Sequence, residues 1–247
     1  MQAFLLVSTV LGRFGDREGL TRTIIHDRCL ATLYYPLHEG STRTHHQNQH
    51  IRQAFCKTLA LRSSIPTVVL HQRSAPLPTE FGLCPHVTSI PVDLMEAKTD
   101  QPQYKYMRTK FAVWKVAPCR RVLYVDLDSV FIRDPALVFD YCPPSFPLCA
   151  VHGQGMPGKM SYFNAGVMVL RPSLVMYNLL NQASIHGKSH TLAEQDTLNE
   201  FPWHPMPVKC NLMLLCCRGR IEWADTIIAH EKIYLLNARD QARALGG

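Results

Sequence analysis

The chain has 247 residues, 47% of them hydrophobic and 18% charged, with a formal net charge of +7. That is ample for a core and suits one α/β domain, with or without an appendage. Its nine cysteines form no C-x-x-C pair, which argues against a disulfide scaffold or a zinc site and favours a reducing, cytoplasmic setting, with the secretory pathway left open.

In chain order, residues 1–27 hold one possible strand and the turn-rich GRFGDREGLTR, and read as an extension. Their longest apolar run, AFLLVSTVLG, is too short to span a bilayer and has no basic flank, so no integral membrane segment is expected and a signal peptide is weakly supported. CLATLYY at 29–35 reads as the first strand, with AFLLVSTV as the alternative. The polar EGSTRTHHQNQH (39–50) reads as a loop, and IRQAFCKTLALRSS (51–64) as an amphipathic helix. His46 and His50 are four apart and could ligate zinc on a helix, but Asn and Gln dominate and a solvated loop is preferred. Strands follow at IPTVVLH and within HVTSIPVDL, then a helix in YMRTKFAVWKV that stops at Pro118. VLYVDLD is a strand buried on both faces. Beyond prolines 135, 143, 144 and 147 come CAVHGQG, the strand in SYFNAGVMVLRPS, the helix LVMYNLLNQA, a short helix in AEQDTLNEF, and the closing VKCNLMLL and DTIIAHEK. Strand and helix alternate, so the fold class is α/β with a mostly parallel central sheet flanked by helices.

The chemistry concentrates at VLYVDLDSVF. Strand alternation would send Asp126 and Asp128 to one side, at the carboxyl end where open α/β sheets gather ligands. Two adjacent carboxylates call for a cation, and Mg²⁺ or Mn²⁺ with a substrate phosphate would serve. The plainer reading is that one Asp caps a following turn. Six Lys or Arg at 105, 108, 110, 115, 120 and 121 precede the pair without an acid, which suggests a polyanion such as a nucleotide diphosphate. Nucleic acid is not expected, since no basic stripe continues and no nucleic-acid motif occurs.

Five segments in order, TKFAVWKV, VLYVDLDSVF, YFNAGVMVLRPS, AEQDTLN and IIAHEK, resemble the retaining glycosyltransferases of family 8, the group of glycogenin and the galactinol synthases. The resemblance implies the GT-A nucleotide-diphospho-sugar transferase sandwich over residues 28–247. It implies a UDP-sugar donor, Mn²⁺ or Mg²⁺, and a glycan, polyol or protein acceptor. It assigns Asp126, Asp128 and His230 to the metal, with Leu127 near the ribose. Lys110 would contact the donor, and Asn164, Ala165 and Gly166 would hold its sugar. Glu194 and Gln195 would lie near the anomeric carbon, Glu194 replacing the Asp usual in the family. Thr32, Leu33 and Tyr35 are the candidates to cup the uracil. The family's Lys-Pro-Trp after the metal His is missing from HEKIYLLNARD, so Lys232 is the candidate for its phosphate-gripping lysine. Two rivals stand beside this reading: a haloacid-dehalogenase-like phosphatase, which also places Asp-x-Asp after a strand, and a GT-A protein that binds nucleotide or glycan without turnover.

Overall fold

The computed structural model describes residues 24–36, 45–97, 99, 101–153, 162–186, 193–214 and 225–230. Its centre is a seven-stranded sheet in the order β3-β2-β1-β4-β7-β6-β8. The strands are β1 (His26–Tyr34), β2 (Thr67–Gln72), β3 (Val87–Val92), β4 (Cys119–Val125), β6 (Leu148–His152), β7 (Phe163–Leu170) and β8 (His204–Met206). Only β7 runs against the others, pairing antiparallel with both β4 and β6. A second, three-stranded sheet orders β5 (Ser129–Phe131), β10 (Ile228–His230) and β9 (Leu212–Met213). The helices are α1 (His45–Arg62), α2 (Ala112–Val116), α3 (Leu174–His186) and α4 (Glu194–Leu198).

The central strands are apolar because both faces are covered. Every residue of β7 is buried, as are the last four of β4. Alternation then sorts β4 between two cores. Val122 and Tyr124 join Phe111, Trp114, Met168 and Leu180 on one face. Leu123 and Val125 join Phe55, Leu59, Phe131 and Val167 on the other. Because β7 is antiparallel, its first residues lie beside the carboxyl end of β4, where Asp126 N donates to Gly166 O at 2.8 Å.

Four sequence expectations change. The helix expected from residue 51 begins at His45, so HHQNQH is helical; these six polar residues have no apolar face by which a pattern could show it. His46 and His50 touch there, Nε2 to Nε2 at 3.0 Å. The helix expected over 106–116 is a 3-10 turn (Met107–Phe111) followed by one turn of α2. The Asp pair does not alternate along a strand: β4 ends at Val125, and Asp126 to Asp128 form the turn into β5. The first strand begins at His26, two residues inside the expected extension; residues 1–23 and the Gly-rich 154–158 lie outside the described residues.

The cysteines give a fifth correction. Cys29–Cys119, Cys56–Cys84 and Cys142–Cys149 are disulfides, separated by 90, 28 and 7 residues. Sequence spacing hides the first because its partners, one on β1 and one on β4, meet only when those two strands pair. Cys210 is a buried free thiol, and burial pushes its pKa up to about 12. Among the described residues no helix is long and apolar enough to cross a membrane.

Candidate active site

The turn after β4 and the end of β10 converge. Asp128 Oδ1 lies 3.4 Å from His230 Nε2, and Asp126 Oδ2 lies 3.9 Å from it. One ligand atom from each of the three residues falls within 4.8 Å of the others. Antiparallel pairing of β5 with β10 sets His230 opposite Ser129, the residue after Asp128. The ring is buried, and it fits only because residue 166 has no side chain: a Cβ there would stand 1.9 Å from His230 Cε1. Two carboxylate oxygens and one imidazole are a donor set that could hold a divalent metal ion.

Behind Asp126 lies a second ion cluster. Lys110, 1% exposed, reaches Asp126 at 3.2 Å, Glu194 at 2.7 Å and the Ala165 carbonyl at 3.1 Å. Those three acceptors match the three protons of an ammonium. Burial alone would lower the lysine pKa, but the carboxylates of Asp126 and Glu194 outweigh it and hold Lys110 above the ordinary lysine value. Tyr124 donates its hydroxyl to Asp126 Oδ1 at 2.8 Å, and its ring lies under the Lys110 ammonium at 5.1 Å. Burial, and then the charge of Asp126, raise the Tyr124 pKa well above the phenol value. Asp126, Asp128 and Glu194 against Lys110 leave two excess negative charges, the amount one divalent ion offsets.

No family model matches the chain. Over 100 residues it is 34% identical to glycogenin of Neurospora crassa, covering 40% of this chain and 14% of that protein. Over 118 residues it is 25% identical to UDP-glucuronate:xylan alpha-glucuronosyltransferase 2 of Arabidopsis thaliana, covering 47% of this chain and 18% of the relative. The chain therefore matches less than a fifth of the length of either relative. Among solved structures, the galactosyltransferase LgtC with donor and acceptor sugar analogues aligns with a TM-score of 0.61 at 14% identity, over 88% of this chain and 95% of that one. Mouse xyloside xylosyltransferase 1 aligns with a TM-score of 0.57 at 13% identity, over 86% and 100%. The chain has the GT-A fold of these solved glycosyltransferases, and over about two fifths of its length it is similar in sequence to glycogenin. The phosphatase reading is not favoured by these likenesses.

Within this GT-A domain, the three expected metal residues meet, and Lys110, paired with both Asp126 and Glu194, adjoins them. The FNAG segment is tied down from inside the protein. Asn164 Oδ1 accepts from Gly166 N at 2.9 Å and from Asn211 Nδ2 at 3.0 Å. Ala165 N donates to Gln195 Oε1 at 2.8 Å. Asn199, at the end of α4, clamps both backbone groups of Phe163 and the carbonyl of Gln195. Glu194 follows Ala193, whose φ of 50° is a conformation that costs a non-glycine residue energy.

The expected uracil trio is not brought to one side. Leu33 and Tyr35 pack on the Lys110 face of the sheet, whereas Thr32 is fully buried and alternation turns it to the α1 face. The Tyr35 hydroxyl meets Met107 Sδ at 3.4 Å. Leu127 packs back onto the apolar residues beneath the turn. Lys232 lies outside the described residues. Tyr124 and Asn211 were not picked out in the sequence. Tyr124 had a signal, two residues before Asp126 on the same strand face; Asn211 had none, because its partner is 47 residues away.

Proposed function

We propose that the domain transfers a sugar from a UDP-sugar to a hydroxyl acceptor, with retention at the anomeric carbon and a divalent ion, Mn²⁺ by preference over Mg²⁺, held by Asp126, Asp128 and His230. The observation that carries the reading is the convergence of those three groups, from two separate elements, at the carboxyl edge of a GT-A sheet. The transfer breaks the bond from the anomeric carbon to the diphosphate and forms one to the acceptor oxygen. Negative charge grows on the leaving phosphate and positive charge on the sugar. When bound, the ion supplies the positive charge that stabilises the departing diphosphate.

The remaining work falls to the chain itself. Lys110 holds Asp126 and Glu194 in fixed positions, so the charges that face the reaction do not reorganise as it proceeds. Glu194 is outside the ligand set and is linked to Asp126 through Lys110, and it is the candidate to face the developing positive charge. Gln195 fixes the start of β7 through Ala165 N, which assigns it to positioning as much as to contact. Asn164, its oxygen held by Gly166 N and Asn211, fixes the FNAG segment that is the candidate to hold the donor sugar.

The setting follows from the cysteines. Three disulfides form and persist in oxidising compartments, so we place this chain in the secretory pathway rather than the cytoplasm expected from cysteine count. An acceptor glycan or glycoprotein of that compartment is the corresponding substrate class.

The test is a panel of UDP-sugars with Mn²⁺, following UDP release with and without simple glycoside acceptors. One donor should be turned over by the wild type, and Asp128→Ala should lose far more than the roughly 10–100-fold of an outer-shell change. Turnover at the wild-type rate in Asp128→Ala would remove the metal assignment. Mn²⁺ and UDP binding without turnover of any donor would leave the non-catalytic binding protein as the reading.

A further inference from the structure

We propose that Tyr124 is a positioning residue for the metal site, setting which oxygen of Asp126 serves the ion. The inference rests on the metal reading above and goes one layer behind its ligands. Three contacts fix the aspartate. Its backbone N donates to Gly166 O at 2.8 Å, which anchors the residue to β7. The Lys110 ammonium sits 3.2 Å from each carboxylate oxygen and so does not by itself distinguish them. The Tyr124 hydroxyl does: it donates to Oδ1 at 2.8 Å. Oδ2 is left as the oxygen that faces the His230 ring. Asp126 is thereby shaped as a one-oxygen ligand.

The arrangement is written into the strand. Tyr124 is the last residue but one of β4, and Asp126 opens the turn directly after Val125, which brings the hydroxyl to the carboxylate. The ring of Tyr124 is fully buried under the Lys110 ammonium, which prevents the hydroxyl from swinging to another partner. Groups that orient a ligating carboxylate from behind typically change metal affinity by about 10–100-fold when removed. A phenol that merely satisfied its own burial would affect folding and leave the ion alone.

Tyr124→Phe keeps the ring and its contact with Lys110 and removes only the oxygen. Titration of the protein with Mn²⁺ alone, reading free Mn²⁺ by its electron paramagnetic resonance signal, gives the affinity without any turnover. The expected result is a loss of about 10–100-fold in Mn²⁺ affinity, with the metal-free melting curve close to that of the wild type. Equal affinity in the two proteins overturns the proposal and leaves the metal site standing. A loss of binding that tracks a collapse of the metal-free melting curve also overturns it, since the hydroxyl would then be holding the fold. Absence of Mn²⁺ binding in the wild type overturns the underlying reading itself.

Discussion

Replacing Gly166 by alanine should disable the metal site without touching a ligand. The new Cβ would stand 1.9 Å from Cε1, 2.5 Å from Nε2 and 2.6 Å from Nδ1 of His230, where ordinary contact begins at 3.4 Å. The ring must retreat by about 1.5 Å, or β7 must move, while metal–ligand distances tolerate roughly 0.2 Å. Overpacking of this kind costs about 1–3 kcal/mol of stability. The effect is steric, because the clash is with a buried ring and not with the free end of a flexible chain. Mn²⁺ affinity should therefore fall by more than the roughly 10–100-fold of an outer-shell change. Calorimetric Mn²⁺ titration and thermal melts of Gly166→Ala, His230→Ala and the double variant provide the assay. In the His230→Ala background the ring is gone, and Gly166→Ala should cost less than in the wild type, the two changes coupling by about 0.5–3 kcal/mol as residues in contact do. Wild-type Mn²⁺ affinity and melting temperature in Gly166→Ala would refute the reasoning.

Three further outcomes are expected. Replacing Cys29 and Cys119 together by alanine should remove about 2–5 kcal/mol of stability, and reductant should lower the wild-type melting temperature in the same direction; a melt indifferent to reductant would contradict the oxidising setting. Ala193→Gly should stabilise the domain by about 1 kcal/mol in urea, because relief of the φ of 50° exceeds glycine's entropic cost, whereas Ala193→Val should destabilise it. Stability should fall as pH rises above about 8.5: the unfolded chain then releases the Cys210 proton that the folded protein keeps to about pH 12, at up to about 1.4 kcal/mol per pH unit. Cys210→Ala should flatten that slope, and an unchanged slope would show that the thiol does not carry it.

Local pattern made part of this domain readable in sequence. The apolar run before Asp126, the FNAGV strand and IIAH each pointed to a buried strand next to a polar group, and those strands are β4, β7 and β10. The grouping of Asp126, Asp128 and His230 was legible through the family resemblance of the segments that carry them, although the turn that carries the two aspartates was not. What stayed hidden depends on partners far apart in sequence. Cys29 and Cys119 meet through strand pairing, and Asn211 reaches Asn164 across 47 residues. The basic run from Lys105 to Arg121 looked like a single patch, yet the fold disperses it. Lys105 pairs with Glu96, Arg108 with Asn181, and Arg121 with the Cys142 carbonyl, while Lys110 is buried. That the uracil trio divides between two faces could have been read from strand geometry, since Thr32 and Leu33 necessarily face opposite ways.

The most direct test of the central claim is calorimetric binding of UDP to wild type and to Asp126→Ala, each with and without Mn²⁺. The account predicts UDP binding to the wild type that strengthens when Mn²⁺ is present and loses that dependence in Asp126→Ala. UDP binding of equal strength with and without Mn²⁺ in both proteins would place the nucleotide away from Asp126, Asp128 and His230, and would contradict it.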